Sequence, residues 1–210
     1  MKKILLFGGT FDPPHNGHMH LLAESIRAVQ PDLVLVMPTG IPPHKDGGHT
    51  PGEVRARMCR CFLPLLRGRV KIDGTELRRA GKSYTADTLR LLRRRYPGAQ
   101  LYLPMGSDML LYFKNWYQYR DILRMAALVV LCRDEDDEAP VRVFARELAA
   151  EGGRVLFAPG DVLEVSSTEI RAKAAAGESI RALVPPAVAR IVEHRGLYKA
   201  PAGTSAQKDR

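Results

Sequence analysis

A chain of 210 residues that is 45% hydrophobic and 26% charged has the size and balance of one soluble domain. No stretch is apolar over the length that a bilayer demands, and the N-terminus enters a strand without a signal-peptide pattern, which argues against a membrane or secreted protein. The formal net charge of +9 favours an anionic partner (nucleic acid, an anionic surface or a polyphosphate), or it describes only a solvated basic surface.

Short apolar strands alternate with amphipathic helices along the first half of the chain. The predicted elements are a strand over 3–7, a helix over 18–29, a strand over 33–37, a helix after residue 50, a strand over 70–72 and a helix over 85–95. Between the second strand and the next helix lies the stretch "PTGIPPHKDGGHTPGE", which is too rich in Pro and Gly for regular structure.

The second half continues the alternation and then becomes helical. Its predicted elements are strands over 101–103 and 128–131, a helix over 141–150, a strand over 155–157 and two helices, from "SSTEIR" to Gly177 and over 186–194. The acidic stretch 134–138 is expected to be a solvated loop, and the small, polar tail from residue 199 is expected to be disordered.

Two helix starts carry capping signals. Thr50 and Glu53 have the spacing of a capping box, with Pro51 at the first helical position. Ser166 and Glu169 repeat that spacing before an alanine-rich run.

Strands that alternate with helices predict an α/β fold, a Rossmann-like doubly wound parallel sheet covered on both faces. We expect one domain over 1–198, in which the part from about residue 166 is a small C-terminal helical extension. In such sheets ligands bind outside the carboxyl ends of the strands, and the stretch "GGTFDPPHNGH" follows the first strand.

The three cysteines are too few for a disulfide framework, which predicts a reducing, cytoplasmic location. Cys59 and Cys61 are two residues apart in a predicted helix, so their side chains diverge by about 200°. Cys132 lies in an apolar strand. We interpret all three as core or surface fillers rather than metal ligands.

The glycines of the opening stretch suit phosphate. Gly8 and Gly9 remove side chains where the backbone leaves the sheet, so a ligand can approach main-chain N–H groups, and the following helix points its positive end at the same space. Gly17 similarly allows a substrate close to the backbone. The stretch is neither a Walker A loop nor a G-x-G-x-x-G fingerprint.

His15 and His18 are three residues apart at a helix start, so both rings can face that space and donate hydrogen bonds to phosphate. Two alternatives stay open: histidines without a chemical role, or a metal site built from His15, His18 and His20, for which Asp12 is the one carboxylate nearby. Nucleotide handling is the favoured interpretation.

Several segments of the chain resemble the motifs of a known enzyme family. The segments "GGTFDPPHNGH" and "SSTEIR" resemble the paired signature of the nucleotidyltransferases that carry an HxGH motif. The segments "PTGIPPHK", "SYTADTL", "GSDMLLYFKNWY" and "LVPPAVARIVEHRGLY" resemble one branch, the bacterial nicotinate mononucleotide adenylyltransferases. The resemblance covers nearly the whole chain, except the acidic stretch and the tail.

The resemblance implies transfer of AMP from ATP to nicotinate mononucleotide in NAD biosynthesis, with deamido-NAD and pyrophosphate as products and Mg²⁺ carried with ATP. Both substrates are anionic, which would account for the positive charge without nucleic acid or membrane as a partner. The rival from another class is an RNA-binding module, which predicts salt-dependent binding without turnover. The nucleophile is a phosphate that is already largely dianionic at neutral pH, so no general base is expected.

The resemblance also implies roles for individual residues. The expected catalytic residues are His15, His18 and Arg171. Expected on the ATP and phosphate side are Gly8, Gly9, Thr10, Phe11, His18, Lys45, Gly106, Asp108, Arg133, Ser167 and Thr168. Expected on the nicotinate mononucleotide side are His44, Thr85, Trp116 and Tyr117.

Each of these segments also has a plain structural interpretation. His44 and Lys45 could belong to a solvated basic turn, and Trp116 could be ordinary packing. Ser83 or Thr85 could simply cap a helix, Asp108 could cap the short helix after it, and "SSTEIR" could be a capping box with a surface arginine.

Overall fold

The computed structural model describes residues 1–42, 50–132 and 135–199. Six parallel strands form one sheet in the order β3-β2-β1-β4-β5-β6. The strands are β1 Lys3–Gly9, β2 Leu33–Pro38, β3 Val70–Ile72, β4 Gln100–Gly106, β5 Ala126–Leu131 and β6 Val155–Phe157. The chain builds outward from β1 to β3 and then crosses to β4, so the strand order reverses between β1 and β4.

Helices cover both faces of the sheet. They are α1 Asn16–Val29, α2 Gly52–Met58, α3 Thr85–Arg95, α4 Ser107–Leu111, α5 Tyr119–Met125, α6 Glu135–Ala150, α7 Ser167–Ala175 and α8 Pro186–Arg195. Short 3₁₀ turns occupy Cys59–Leu66, Glu76–Arg78 and Phe113–Asn115. The prediction of a doubly wound α/β sheet is confirmed. Among the described residues, no helix has both the length and the apolar character to cross a bilayer.

The strands are apolar along their length because both faces of the sheet are buried. In β1, Ile4 and Leu6 join the core under α3, α5 and α6, whereas Leu5 and Phe7 join the core under α1. A third cluster packs α2 against α7 and α8, and attaches the C-terminal helices to the domain.

Several local predictions are wrong for identifiable reasons. At α2 the N-cap is Pro51 without a side-chain bond, and the Thr50 N–H donates to the Asp12 carboxylate, so the predicted capping box does not form. The predicted helix also changes to 3₁₀ geometry at Cys59, ahead of Pro64. The acidic stretch is not a loop throughout: α6 begins at Glu135, where acidic residues suit the positive end of a helix.

Burial raises the pKa of the Cys61 thiol to about 12 and raises that of Cys59 as well. Such thiols stay protonated at neutral pH and are poor metal ligands or nucleophiles. Their environment agrees with the prediction that the pair fills space.

Candidate active site

A cleft of about 750 Å³ opens where the strand order reverses, at the carboxyl ends of β1 and β4. In α/β sheets of this kind, this is the position where ligands bind. The residues predicted for the site that line the cleft are Gly8, Gly9, Thr10, Thr85, Trp116 and Tyr117. Three phosphate-side and three ring-side candidates therefore line one cavity, whereas the predicted catalytic residues His15, His18 and Arg171 are not among its lining residues.

The glycines of the opening stretch have different surroundings. A Cβ added at Gly8 would meet nothing within 4 Å, so its backbone is open to the cleft. A Cβ at Gly17 would lie 2.8 Å from the Leu163 carbonyl oxygen and 3.1 Å from His15 Nδ1. The expectation that Gly17 makes room for substrate is therefore wrong, because packing within the protein fills that space.

His15 and His18 form a reciprocal cap at the start of α1. Each ring accepts at Nδ1 from the backbone N–H of the other residue, both at 3.3 Å, and the ring centroids are 3.6 Å apart. A ring nitrogen that accepts carries no proton, so each neutral imidazole holds its proton on Nε2. The backbone of the motif thus prepares two imidazole N–H donors side by side.

Burial keeps both imidazoles neutral. It lowers the pKa of His15 to about 4. It lowers the pKa of His18 well below the usual value, and the neighbouring His15 lowers it further. At neutral pH the pair therefore acts through hydrogen bonds rather than through positive charge.

His20 does not join the pair. Its Nε2 lies 2.7 Å from the Asp161 carbonyl oxygen. Within the described residues, no three His, Cys, Asp or Glu side chains are grouped to hold a metal ion. The arrangement does not support the three-histidine metal alternative.

The start of α7 contacts the opening stretch directly. Ser166 caps the helix by accepting from the Glu169 N–H at 3.1 Å, as its spacing predicts. The Ser167 hydroxyl donates to the Pro13 carbonyl at 2.9 Å, and Arg171 Nη1 donates to the Asp12 carbonyl at 2.9 Å. The two halves of the signature, about 150 residues apart, are therefore bonded to each other.

These bonds change what each side chain can offer a ligand. The Ser167 hydroxyl is engaged with the backbone, so its remaining contribution is a helix N-terminal N–H. Arg171 also donates to the Thr168 hydroxyl at 3.1 Å and keeps a half-buried guanidinium beside the loop. The arrangement provides one cation and one helix terminus.

Aromatic side chains form the other side of the cleft. The Tyr84 and Tyr117 ring centroids lie 4.5 Å apart, and Trp116 is half-buried against Phe113 at 5.4 Å. Trp116 is therefore both packed, as the plain interpretation holds, and part of the cleft lining.

Thr85 is the first residue of α3. The N-cap is Tyr84, and no side-chain hydrogen bond caps this helix, so neither Ser83 nor Thr85 acts as its cap. Backbone N–H groups at an uncapped helix start suit a carboxylate. Sequence reasoning missed Tyr84 as a ring-side residue, although "SYT" placed it beside Thr85.

The other predicted site residues either do not line the cleft or lie outside the residues that the structure describes. The exposed Asp108 accepts from the Met109 N–H at 2.8 Å within α4, close to Gly106, and the α4 N-cap is Gly106. The Phe11 side chain is 1% exposed and packs in the core, so its contact with a ligand would pass through the backbone. His44, Lys45, Arg133 and the tail lie outside the described residues.

One buried residue that supports the opening stretch was not predicted from the sequence. Arg55, on α2, is 3% exposed and donates to the Thr10 carbonyl at 2.7 Å and to the Thr50 carbonyl at 2.9 Å. An arginine in an amphipathic helix resembles any surface cation until the fold shows what covers it.

Comparisons with known proteins identify the family of this chain. The cytidylyltransferase-like family model matches residues 6–173. The chain is 36% identical over 201 residues to the nicotinate-nucleotide adenylyltransferase of Bacillus subtilis, covering 95% of this chain and all of that protein. It is also 36% identical over 195 residues to a probable nicotinate-nucleotide adenylyltransferase of Gemmatimonas aurantiaca, covering 92% of this chain and 91% of that protein.

Solved structures share the fold. The nicotinic acid mononucleotide adenylyltransferase of Plasmodium falciparum, complexed with NaAD, superposes with a TM-score of 0.75 at 16% identity and covers 94% of this chain and 98% of that one. With the full-length similarity to the bacterial proteins, this leads to one assignment. The chain belongs to the cytidylyltransferase-like family, and within it to the nicotinate-nucleotide adenylyltransferases.

Proposed function

We propose that this chain transfers the adenylyl group of ATP to nicotinate mononucleotide. A 5′-phosphate oxygen of the mononucleotide bonds to the α-phosphorus, the bond from that phosphorus to the bridging oxygen breaks, and pyrophosphate leaves with the electron pair. The products are nicotinate adenine dinucleotide and pyrophosphate. The observation that carries the proposal is the cleft at the strand-order reversal, which is lined by Gly8, Gly9 and Thr10 on one side and by Tyr84, Trp116 and Tyr117 on the other. The histidine pair follows in the same connection between β1 and α1.

This reaction requires that the two substrates are held in line and does not require a general base. The attacking phosphate has a second pKa near 6 and is mostly dianionic at neutral pH. The difficulty is to hold two polyanions in line, which favours fixed hydrogen-bond donors and cations. We assign the Nε2–H groups of His15 and His18 to the phosphates around the reacting phosphorus, with Thr10 and Lys45 assisting.

The leaving pyrophosphate is assigned to the α7 side. Arg171 and the N–H groups at Ser167 and Thr168 offer positive potential there. Gly8, Gly9 and the Phe11 backbone are assigned to the same phosphates, and Gly106, Asp108 and Arg133 to the ribose and adenine. Mg²⁺ would enter bound to ATP, held mostly by phosphate oxygens and water.

The mononucleotide is assigned to the aromatic side. Trp116 and Tyr117 would contact the pyridine ring, the uncapped α3 start at Thr85 would receive the nicotinate carboxylate, and His44 would assist. Helix N–H donors match a carboxylate better than an amide, whose NH₂ needs an acceptor. We therefore expect a preference for nicotinate over nicotinamide mononucleotide.

The test is pyrophosphate release from ATP with each mononucleotide in turn. We expect turnover that needs both substrates and a kcat/KM about tenfold or more higher for nicotinate mononucleotide. Absence of pyrophosphate with either nucleotide, together with salt-dependent RNA binding, would overturn the proposal in favour of a nucleic-acid-binding module.

A further inference from the structure

After α8 the chain turns, and Tyr198 contacts Asp12 in the opening stretch. Helix α8 ends at Gly196 with φ 57°, and Tyr198 has φ 66°. A left-handed conformation is unfavourable for a bulky aromatic residue and persists where surrounding contacts impose it. In the opening stretch, Phe11 is also left-handed, with φ 52°.

Tyr198 reaches a buried carboxylate. Its hydroxyl donates to Asp12 Oδ1 at 2.6 Å, and Asp12 is 3% exposed. The other oxygen, Oδ2, accepts from the Thr50 N–H at 3.1 Å. Burial and the Asp12 hydrogen bond raise the pKa of Tyr198, so the phenol keeps its proton and is the donor.

Asp12 in turn connects to the proposed phosphate-binding groups. Its carbonyl accepts from Arg171 at 2.9 Å, and the carbonyl of Thr10, two residues earlier, accepts from the buried Arg55 at 2.7 Å. Arg55 also holds the Thr50 carbonyl, at the point where the chain enters α2. One carboxylate thus links the opening loop, the α2 entry and the C-terminal turn.

The C-terminal part touches the histidine motif at a second place. The Asn16 N–H donates to the Leu183 carbonyl at 2.9 Å, and its side-chain amide donates to the Ala182 carbonyl at 2.9 Å. Contacts from α7, from residues 182–183 and from Tyr198 therefore all converge on residues 12–16. This convergence is more than is needed to cover an apolar face.

We propose that Tyr198 is a positioning residue, which through Asp12 fixes the loop between β1 and α1 and the guanidinium of Arg171 for binding the triphosphate of ATP. The proposal rests on the proposed function for the identity of the ligand. Without the phenol hydroxyl, the buried Asp12 carboxylate loses one of its hydrogen-bond donors. We expect Asp12 to shift in response, and with it the backbone carbonyl that accepts from Arg171. Because Tyr198 bonds to Asp12 in the loop between β1 and α1, the pyridine side of the cleft should be affected less.

The experiment compares Tyr198→Phe with Tyr102→Phe. The control removes a phenol hydroxyl that donates to Gln100 Oε1 at 3.0 Å, at the opposite, amino end of β4. Affinity for an ATP analogue with a methylene between the α- and β-phosphorus is measured by calorimetry, and kcat and both KM values by pyrophosphate release. Melting temperatures report the fold.

We expect Tyr198→Phe to weaken analogue binding about tenfold and to lower kcat/KM for ATP by a similar factor, with KM for the mononucleotide within about twofold. Tyr102→Phe should bind and turn over like wild type. Analogue affinity and kcat/KM for ATP in Tyr198→Phe equal to those of the control overturn the proposal. So does an equal loss for both substrates with a lowered melting temperature, which indicates packing alone.

A double-substitution cycle with Asp12→Asn tests the route. If Tyr198 acts through Asp12, the double variant binds the analogue no more weakly than Asp12→Asn alone, whereas additive losses contradict that route. Failure of the proposed function is distinguishable, since a wild type that binds the analogue but releases no pyrophosphate refutes the reaction and leaves the binding comparison decisive for Tyr198.

Discussion

The histidine pair has a structural task, the reciprocal cap of α1, and in the proposed mechanism the same two rings also bind phosphate. Nδ1 of each ring is committed to a backbone N–H, and this commitment leaves the proton on Nε2. The motif could be found from sequence because His15 and His18 are neighbours along the chain. Asp12, Arg55 and Tyr198 could not be assigned in this way, because their roles depend on contacts between residues 38 or more positions apart.

Replacement of His18 by Ala tests the chemical task. Loss of one preorganised donor at the reacting phosphate should lower kcat by about 10²–10³-fold, with a far-UV spectrum like that of wild type. His20→Ala is the matched control, because His20 lies on the same helix and its Nε2 lies 2.7 Å from the Asp161 carbonyl oxygen. Near-wild-type turnover in His18→Ala, or equal losses in both variants, would contradict the assignment.

The depressed pKa of His15 predicts how stability depends on pH. The unfolded chain protonates this imidazole below about pH 6.5, whereas the folded chain resists until about pH 4. Between those values the unfolded state binds more protons, so the free energy of unfolding falls as the pH is lowered, by about 3 kcal/mol for this group. Above pH 6.5 the group has no such effect.

Urea unfolding of wild type and His15→Asn at pH 7 and at pH 4.5 measures that contribution. Asn keeps an acceptor at the N-cap but does not titrate in this range, so its loss of stability on acidification should be smaller. Titrating groups other than His18, whose pKa is lowered in part by His15, affect both proteins alike and cancel in the comparison. Equal losses in the two proteins would show that His15 is not the group responsible.

At the scale of elements, boundaries were predictable where local chemistry decides them. The helix at Thr85–Arg95 ends before Pro97-Gly98, and the strand at Val155–Phe157 has the predicted bounds. The α2 cap failed because a tertiary bond from Asp12 takes the Thr50 N–H. Helix α5 was missed because its seven residues carry too short a pattern for a periodic signal.

Two glycines at the β1–α1 junction separate binding from packing. Gly8→Ala should leave the melting temperature near that of wild type, because no atom lies within 4 Å of the new methyl group, but should raise KM for ATP about tenfold. Gly17→Ala should cost about 1–3 kcal/mol, because the methyl group meets the Leu163 carbonyl oxygen at 2.8 Å. Thermal melts and steady-state kinetics on both variants check this. The reverse pattern, with Gly8→Ala unstable and Gly17→Ala a binding defect, would contradict it.

For the whole molecule, the alternation of strands and helices predicted an α/β sheet, but the strand order was not predictable. That order depends on which edge each crossover joins, and it places β1 beside β4, where the cleft forms. The C-terminal part then packs against the loop between β1 and α1, where Ser167 and Arg171 donate to the Pro13 and Asp12 carbonyls. The proposed site, which draws on residues 8–18, 84–85, 116–117 and 167–171, thus depends on topology as much as on motifs.

The net charge of +9 raises the question of whether the whole surface or the site alone attracts the anionic substrates. Arg93 and Arg94 are exposed at the far end of α3, about 12 Å along the helix from Thr85. At physiological ionic strength that distance exceeds the Debye length of about 8 Å, so these charges should be screened from the cleft.

The double variant Arg93→Glu/Arg94→Glu tests this at the scale of the molecule. Each substitution replaces a positive charge with a negative one and lowers the net charge by two units, so the net charge falls from +9 to +5. We expect kcat/KM for ATP within about twofold of wild type at about 0.15 M salt, and a clear fall relative to wild type only near 0.01 M, where the Debye length reaches about 30 Å. The melting temperature must be measured too, because acidic residues at a helix C-terminus oppose its dipole by about 0.3–1 kcal/mol each. A large fall at physiological salt with an unchanged melting temperature would mean that the field of the whole surface, rather than the donors and cations of the cleft, captures the nucleotides.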